Sequence, residues 1–294
     1  MDNAGLMAAQ NNPVRGIAIM CVSMFFFVAV DTLARELTQR LPVSQILWVR
    51  FLIFAAIVVA IVGPRTVRSK LKSRNPWLQF GRSMVLVAEI AVFVLSFRYL
   101  PVADVHAVAA AVPLIVTALA VPMLGERVGW RRWIAVGIGF FAVLAIVRPG
   151  FLDLDWYHLL PVAGAMVWAF YQVLIRLTAH YDGQDTTLLW TVLAGAAFTT
   201  LFGWVDWVWP DPQTWLLLIG AGFLGTAAHY TLILALNAAP ASLLQPFVYT
   251  TFPWAVLLGL IFFGEFPDTV TIVGAAVLIA VGIYVMRREA KTVG

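Results

Sequence analysis

Glu89 stands in the middle of the apolar run RSMVLVAEIAVFVL, about 18 Å, at roughly 1.5 Å per residue, from the start of a helix over 77–99. A carboxyl at that depth is costly in hydrocarbon, so it is a candidate site: it can bind a proton, or a substrate amine when ionised. His106, Asp31, His229, Gln172 and Gln245 are likewise polar within apolar stretches. Phe27, Trp168, Tyr171, Tyr230 and Tyr249 add rings able to hold an aromatic or cationic solute. Each has a plainer reading. Glu89 could serve packing through a hydrogen bond, and each histidine could bond a backbone carbonyl freed by a nearby Pro or Gly. Asp31 and Arg35, four residues apart, are the spacing of a local ion pair, which is the ordinary account of both charges.

These residues must be positioned by membrane helices. Of 294 residues, 62% are hydrophobic and 12% charged, with a mean hydropathy of +0.90. A soluble domain carries about 25% charged residues, so an integral membrane protein is expected. A pI near 9.5 would suggest nucleic acid, but the basic residues sit in short loops between apolar runs. Cys21 is the only cysteine, which excludes an intramolecular disulfide and a thiolate metal cluster. Ten runs have spanning length: 16–34, 44–63, 77–99, 102–123, 129–147, 157–178, 186–205, 214–237, 241–262 and 269–287.

The chain repeats itself. Pro101 to Glu126 (PVADVHAVAAAVPLIVTALAVPMLGE) is echoed by Pro240 to Glu265 (PASLLQPFVYTTFPWAVLLGLIFFGE), each with a central proline, Pro113 or Pro253, and a terminal Gly-Glu. VSMFFFVAVDTLAR aligns with AGAMVWAFYQVLIR, setting Arg35 over Arg176 and Asp31 over Gln172. The first apolar run therefore has a partner and reads as a helix rather than a cleaved leader. Two halves, residues 1–150 and 151–294, each carry five helices. Five is odd, so the second half enters the membrane from the other side. The expected architecture is all-α, with ten transmembrane helices as two inverted five-helix repeats, a common plan of secondary transporters with the site at the midplane.

Lys and Arg set the orientation. The loop holding Arg65, Arg68, Lys70, Lys72 and Arg74 is strongly basic, which places it and both termini in the cytoplasm and the protein in the inner membrane. Pro113 and Pro253 each remove a helix hydrogen bond and are candidate hinges. Gly125-Glu126 and Gly264-Glu265 read as helix ends, with the glutamate beside the positive start of the next helix. The fifth and tenth helices are apolar all round and should face lipid.

The doubled pattern of Pro, apolar run, central Pro and Gly-Glu, followed by a glycine-containing helix, resembles the EamA repeat of the drug/metabolite transporter superfamily. The aromatic residues Phe25 to Phe27, Trp168 to Tyr171 and His229-Tyr230 most resemble YddG-type amino-acid exporters. That resemblance implies ten helices, a central cavity between helices 1, 3, 4, 6, 8 and 9, and peripheral helices 5 and 10. It implies export of amino acids, aromatic ones included, by alternating access.

No Walker A motif, metal-spaced histidine pair or nucleophile motif is present, so no cofactor, metal or catalytic residue is expected and the chain is not an enzyme. The expected partners are the lipid bilayer and a small metabolite, with protons as a candidate coupling ion and a monomer as the working unit. Other metabolites or cationic drugs are the alternative substrates, and a non-transporting sensor or scaffold the alternative class. Phosphate-bearing solutes would want Lys or Arg in the cavity. Only Arg50 and Arg82 lie within helices, and the sequence sets neither at midspan.

Overall fold

The computed structural model describes residues 13–125, 129–147, 155–239 and 241–293, apart from the side chains of 233, 236, 237, 241, 242, 245 and 288–293. Among them there is no strand. The ten spans are α1 Pro13–Thr38, α2 Val43–Val62, α3 Pro76–Tyr99, α4 Val102–Leu124, α5 Trp130–Val147, α6 Trp156–Thr178, α7 Gln184–Thr200, α8 Pro212–Ala238, α9 over 241–263, and α10 Thr269–Val293. Among the described residues, nine have the length and hydropathy to cross a membrane. α7 is the short one at 17 residues. It ends earlier than its sequence suggests, in a turn from Leu201 to Asp206.

Helix starts are set locally. Asn75, Asp211 and Asp268 accept hydrogen bonds from Leu78, Thr214 and Thr271 N–H at 3.2, 2.9 and 2.9 Å, capping α3, α8 and α10. Pro76 and Pro212 occupy the first helical turn, where a missing N–H costs nothing. Gly125 and Gly264 end α4 and α9 in the left-handed region, at φ 69° and 68°.

Both proline-bearing spans are broken. α4 is two helices, Val102–Ala109 and Val112–Leu124, with the break just before Pro113. α9 runs as Ala241–Leu244, a 3-10 segment Gln245–Thr250 and then Thr251–Phe263, which holds Pro253. A proline cannot donate to the carbonyl four residues back and its ring crowds that carbonyl. Both copies therefore interrupt the helix at equivalent positions.

Helix contacts carry the internal symmetry. α1 packs along α8 as α6 packs along α3, α1 meets α9 as α6 meets α4, and α2 meets α8 as α7 meets α3. The pairs α2–α7 and α5–α10 map onto themselves. Exchanging each helix with the one five later preserves these pairings, which is the relation expected of inverted repeats, whereas the α1–α3 contact has no close α6–α8 counterpart. α5 and α10 leave Phe140, Phe141, Val273 and Tyr284 exposed, as lipid-facing helices should.

Two charge assignments differ from the sequence reading. Arg35 does not pair with Asp31: its Nη2 pairs with Glu265, Nη1 donates to the Leu100 carbonyl at 3.2 Å, and the guanidinium lies 4.6 Å over Phe263. Glu265 is therefore a clasp from the end of α9 to α1, while Asp268 does the capping of α10. One turn of helix separates Arg35 from Asp31, but the tertiary fold offers each a closer partner. Glu126, the equivalent of Glu265, lies outside the described residues. Arg35→Ala should cost about 1–3 kcal/mol, because it strips donors from Glu265 and Leu100. A detergent thermal midpoint equal to wild type would show the clasp to be idle.

Candidate functional site

Asp31, on α1, faces His106, on α4, across the interface: His106 Nε2 lies 3.2 Å from Asp31 Oδ2. The pair is close but out of line for a hydrogen bond, since His106 Nε2 has no bonding partner among the described residues. The imidazole also stacks on Phe97, with centroids 6.2 Å apart. Asp31 further interacts electrostatically with Arg50 on α2 and Glu89 on α3, and these two interact with each other. Five elements of charge or proton chemistry thus converge from α1, α2, α3, α4 and α8, because His229 joins the same region.

His229 is held by its own helix. Its Nδ1 donates to the Gly225 carbonyl at 2.9 Å, which leaves Nε2 with a free lone pair. Phe27 meets its ring edge-on at 5.0 Å, and Phe54 lies tilted against it at 5.2 Å. The backbone of α8 comes close to α2 here because Gly222 has no side chain: a Cβ would sit 2.6 Å from Ile53 Cγ2. The result is a small cavity of about 10 Å³, lined by Arg50, Phe54, Leu86, Ile90, Thr226 and His229 among others. That volume is room for a single water. Further along the same face of α3, Phe93 connects Trp168 of α6, at 6.0 Å edge-on, to Phe97, at 6.3 Å stacked.

The structure therefore gathers Phe27, Asp31, Glu89, His106 and His229 around one centre, with Trp168 joined through Phe93. Gln172 is half-buried on α6. The remaining candidates go elsewhere. Tyr171 accepts from Arg82, whose Nη1 reaches the phenol oxygen at 3.0 Å. Tyr230 is 52% exposed, one residue round α8 from His229. Tyr249 is buried between α4, α5, α9 and α10 with Ala110, Leu114 and Leu278. Gln245's side chain lies outside the described residues.

Arg50 is the residue that sequence reasoning undervalued. It is the eighth of the 20 residues of α2, near the middle of that span, and it faces both carboxylates. Its signal was present: an arginine amid ILWVRFLIF. The central cavity accordingly includes α2, which the resemblance left out. Arg82 plays another part. It is fully buried and bonded to Gln79, Tyr171, Thr187 and Thr191.

A membrane-embedded, symmetric helix bundle with charged groups at its middle is built to pass a polar solute. A model described as the EamA-like transporter family matches residues 14–148 and again 155–288. The chain belongs to the EamA-like transporter family. It is 28% identical to a riboflavin transporter of Vibrio cholerae over 289 residues, 97% of each chain. A riboflavin transporter of Rhizobium johnstonii is 26% identical, covering 99% of this chain and 97% of its own. An S-adenosylmethionine uptake transporter of Rickettsia prowazekii is 22% identical over 95% of each. A solved crystal structure superposes with a TM-score of 0.63 at 21% identity, covering 92% of this chain and 98% of that one, and shows the fold. The protein is a multi-pass membrane transporter of small metabolites and not an enzyme. None of these relatives is named for amino-acid export, so the YddG-type subclass finds no specific support.

Proposed function

We propose that this transporter carries a planar aromatic metabolite of the riboflavin class across the inner membrane by alternating access, with both termini in the cytoplasm. The observation that carries the reading is the aromatic and charged centre of Phe27, Phe54, His229, Arg50 and Glu89, taken with two riboflavin-transporting relatives that match nearly end to end. The rings would hold the solute's flat body and the charged groups its polar edge. The two repeats, dividing near residue 150, would rock against each other, with the breaks at Pro113 and Pro253 as the flexible points. The cavity is too small here to admit a metabolite, so entry needs the helices to part.

Amino-acid export is the second reading. It is favoured by the opposite charges of Arg50 and Glu89, which suit the carboxylate and ammonium of a zwitterion. Flux of labelled riboflavin, tryptophan and S-adenosylmethionine into proteoliposomes separates the readings. Riboflavin flux that tryptophan does not compete supports the first; saturable tryptophan flux without riboflavin flux overturns it. An inward proton gradient added to the same assay tests coupling: gradient-driven accumulation makes Glu89 or the Asp31–His106 pair the proton carrier. Glu89→Gln should cut flux at least about tenfold and Trp168→Ala about three- to tenfold, the size of one lost ring contact. Normal rates in both folded variants would remove these residues from the site.

A further inference from the structure

We infer that Arg50 and Glu89 form a donor–acceptor clamp for the imide edge of an uncharged planar ring, and that the site rejects phosphorylated forms of the same ring. This rests on the riboflavin-class reading and specifies which part of the molecule is recognised.

Arg50 and Arg82, both away from the ends of their helices, make the contrast. Arg82 spends its guanidinium on Gln79, Tyr171, Thr187 and Thr191. Arg50 has no hydrogen bond and no ion pair within 4 Å among the described residues. Glu89 is in the same condition, although the two are close enough to interact electrostatically. Opposite charges at the middle of a membrane protein ordinarily close on each other, because water is not there to solvate them. Here they stand apart, both partly accessible, with Arg50 lining the small cavity and Glu89 one residue before its lining residue Ile90. A gap of this kind is what a bridging ligand fills.

The ligand's chemistry follows from what the gap presents. Arg50 offers a fork of N–H donors and no acceptor; Glu89 offers acceptor oxygens. The complement is an edge with carbonyls flanking an N–H, as in the imide of an isoalloxazine ring. The carbonyl would accept from Arg50 and the N–H would donate to Glu89. Phe54 and His229 supply faces for the ring. Charge excludes the phosphorylated form. Asp31 and Glu89 stand against Arg50, and His106 adds a positive charge only when protonated. With both carboxyls ionised the cluster has no surplus positive charge to pair with a phosphate, and burying that anion unpaired in a low-dielectric setting is costly.

The test is flux of labelled riboflavin into proteoliposomes, competed by unlabelled riboflavin, N3-methylriboflavin and riboflavin 5′-phosphate. The methyl group removes the N–H; the phosphate adds the anion at the other end. Both competitors should be at least tenfold weaker than riboflavin. Arg50→Lys, which keeps the charge and loses the fork, should lower riboflavin flux at least tenfold while its elution profile and thermal midpoint stay near wild type. Arg50→Gln/Glu89→Gln, which removes both charges together, guards against a loss that comes only from an unbalanced charge: it too should be inactive and should no longer distinguish riboflavin from the N3-methyl compound in binding. Equal competition by N3-methylriboflavin, or wild-type flux in Arg50→Lys, overturns the clamp and leaves riboflavin transport standing. Absence of riboflavin flux in the wild type overturns both.

Discussion

Arg82→Ala should lower the thermal midpoint by on the order of 10 °C and sharply reduce the folded protein recovered from membranes. The side chain is wholly buried at the start of α3. Its Nη1 donates to Tyr171 Oη at 3.0 Å, and Nη2 reaches Thr191 Oγ1 at 2.7 Å, the Thr187 carbonyl at 2.9 Å and Gln79 Oε1 at 3.1 Å. One guanidinium thus ties α3 to α6 and α7. Gln79 extends the network by donating to Asp182 at 2.9 Å and Thr187 Oγ1 at 3.1 Å. Asp182 lies in the α6–α7 link. Partial burial pushes its carboxyl up, but the Ser73 hydroxyl, the Arg74 N–H and the Gln79 amide more than offset this and hold it below the usual carboxylate range. Removing a buried cation also removes its desolvation cost, which works against the loss. Four acceptors left without their donor, plus the void, outweigh that gain, and breaking such a network costs about 3–5 kcal/mol. For a chain of this size that is the stated shift in midpoint. Thr191→Val, which removes one contact, should cost about 1 kcal/mol. A wild-type midpoint for Arg82→Ala would show that the bundle does not depend on this hub.

Gly282→Ala should destabilise by about 3 kcal/mol, at the upper end for overpacking. A Cβ at that position of α10 would lie 1.7 Å from Tyr249 Oη and 2.6 Å from its Cζ. Tyr249 has little room to retreat: its ring is 6% exposed and packed with Ala110, Ala111, Leu114 and Val285. The tyrosine oxygen itself is buried without a hydrogen-bond partner among the described residues. Tyr249→Phe alone should therefore be neutral or stabilising by about 1 kcal/mol, since a buried unsatisfied hydroxyl is a cost. In the Gly282→Ala background it should recover part of the loss. The same variant examines the role expected of Tyr249 in the sequence. If its hydroxyl touched the substrate, Tyr249→Phe would slow transport; unchanged flux supports its place in the α9–α10 packing.

Much of the architecture was legible before any coordinates. The Pro-to-Gly-Glu repeat located both halves, and the central prolines marked the breaks in α4 and α9, because a missing N–H acts within its own helix. Gly125 and Gly264 were readable as helix ends for the same local reason. The site was legible only in part. Glu89, His106 and His229 were picked out because a polar group in an apolar run is costly wherever the chain folds. Which of them share a centre was not readable, since α1, α2, α3, α4 and α8 are brought together by packing.

Three pairings show where sequence gave way. Asp31 and Arg35 have the spacing of a local ion pair, yet Asp31 turns to His106 and Arg35 to Glu265, 230 residues along the chain. Tyr171 and Trp168 share one helix; the first joins Arg82 and the second meets Phe93. Arg50 and Arg82 look alike as arginines in apolar runs, but one is saturated with hydrogen bonds and the other faces Asp31 and Glu89. The sequence by itself determined the membrane-spanning helices, their twofold repetition and which polar groups lie within apolar runs. Those depend on hydropathy, on local backbone chemistry and on counting along the chain. Only the tertiary structure decided which buried charges are satisfied by hydrogen bonds and which stand without them, because the partners of a side chain inside a bundle come from other helices.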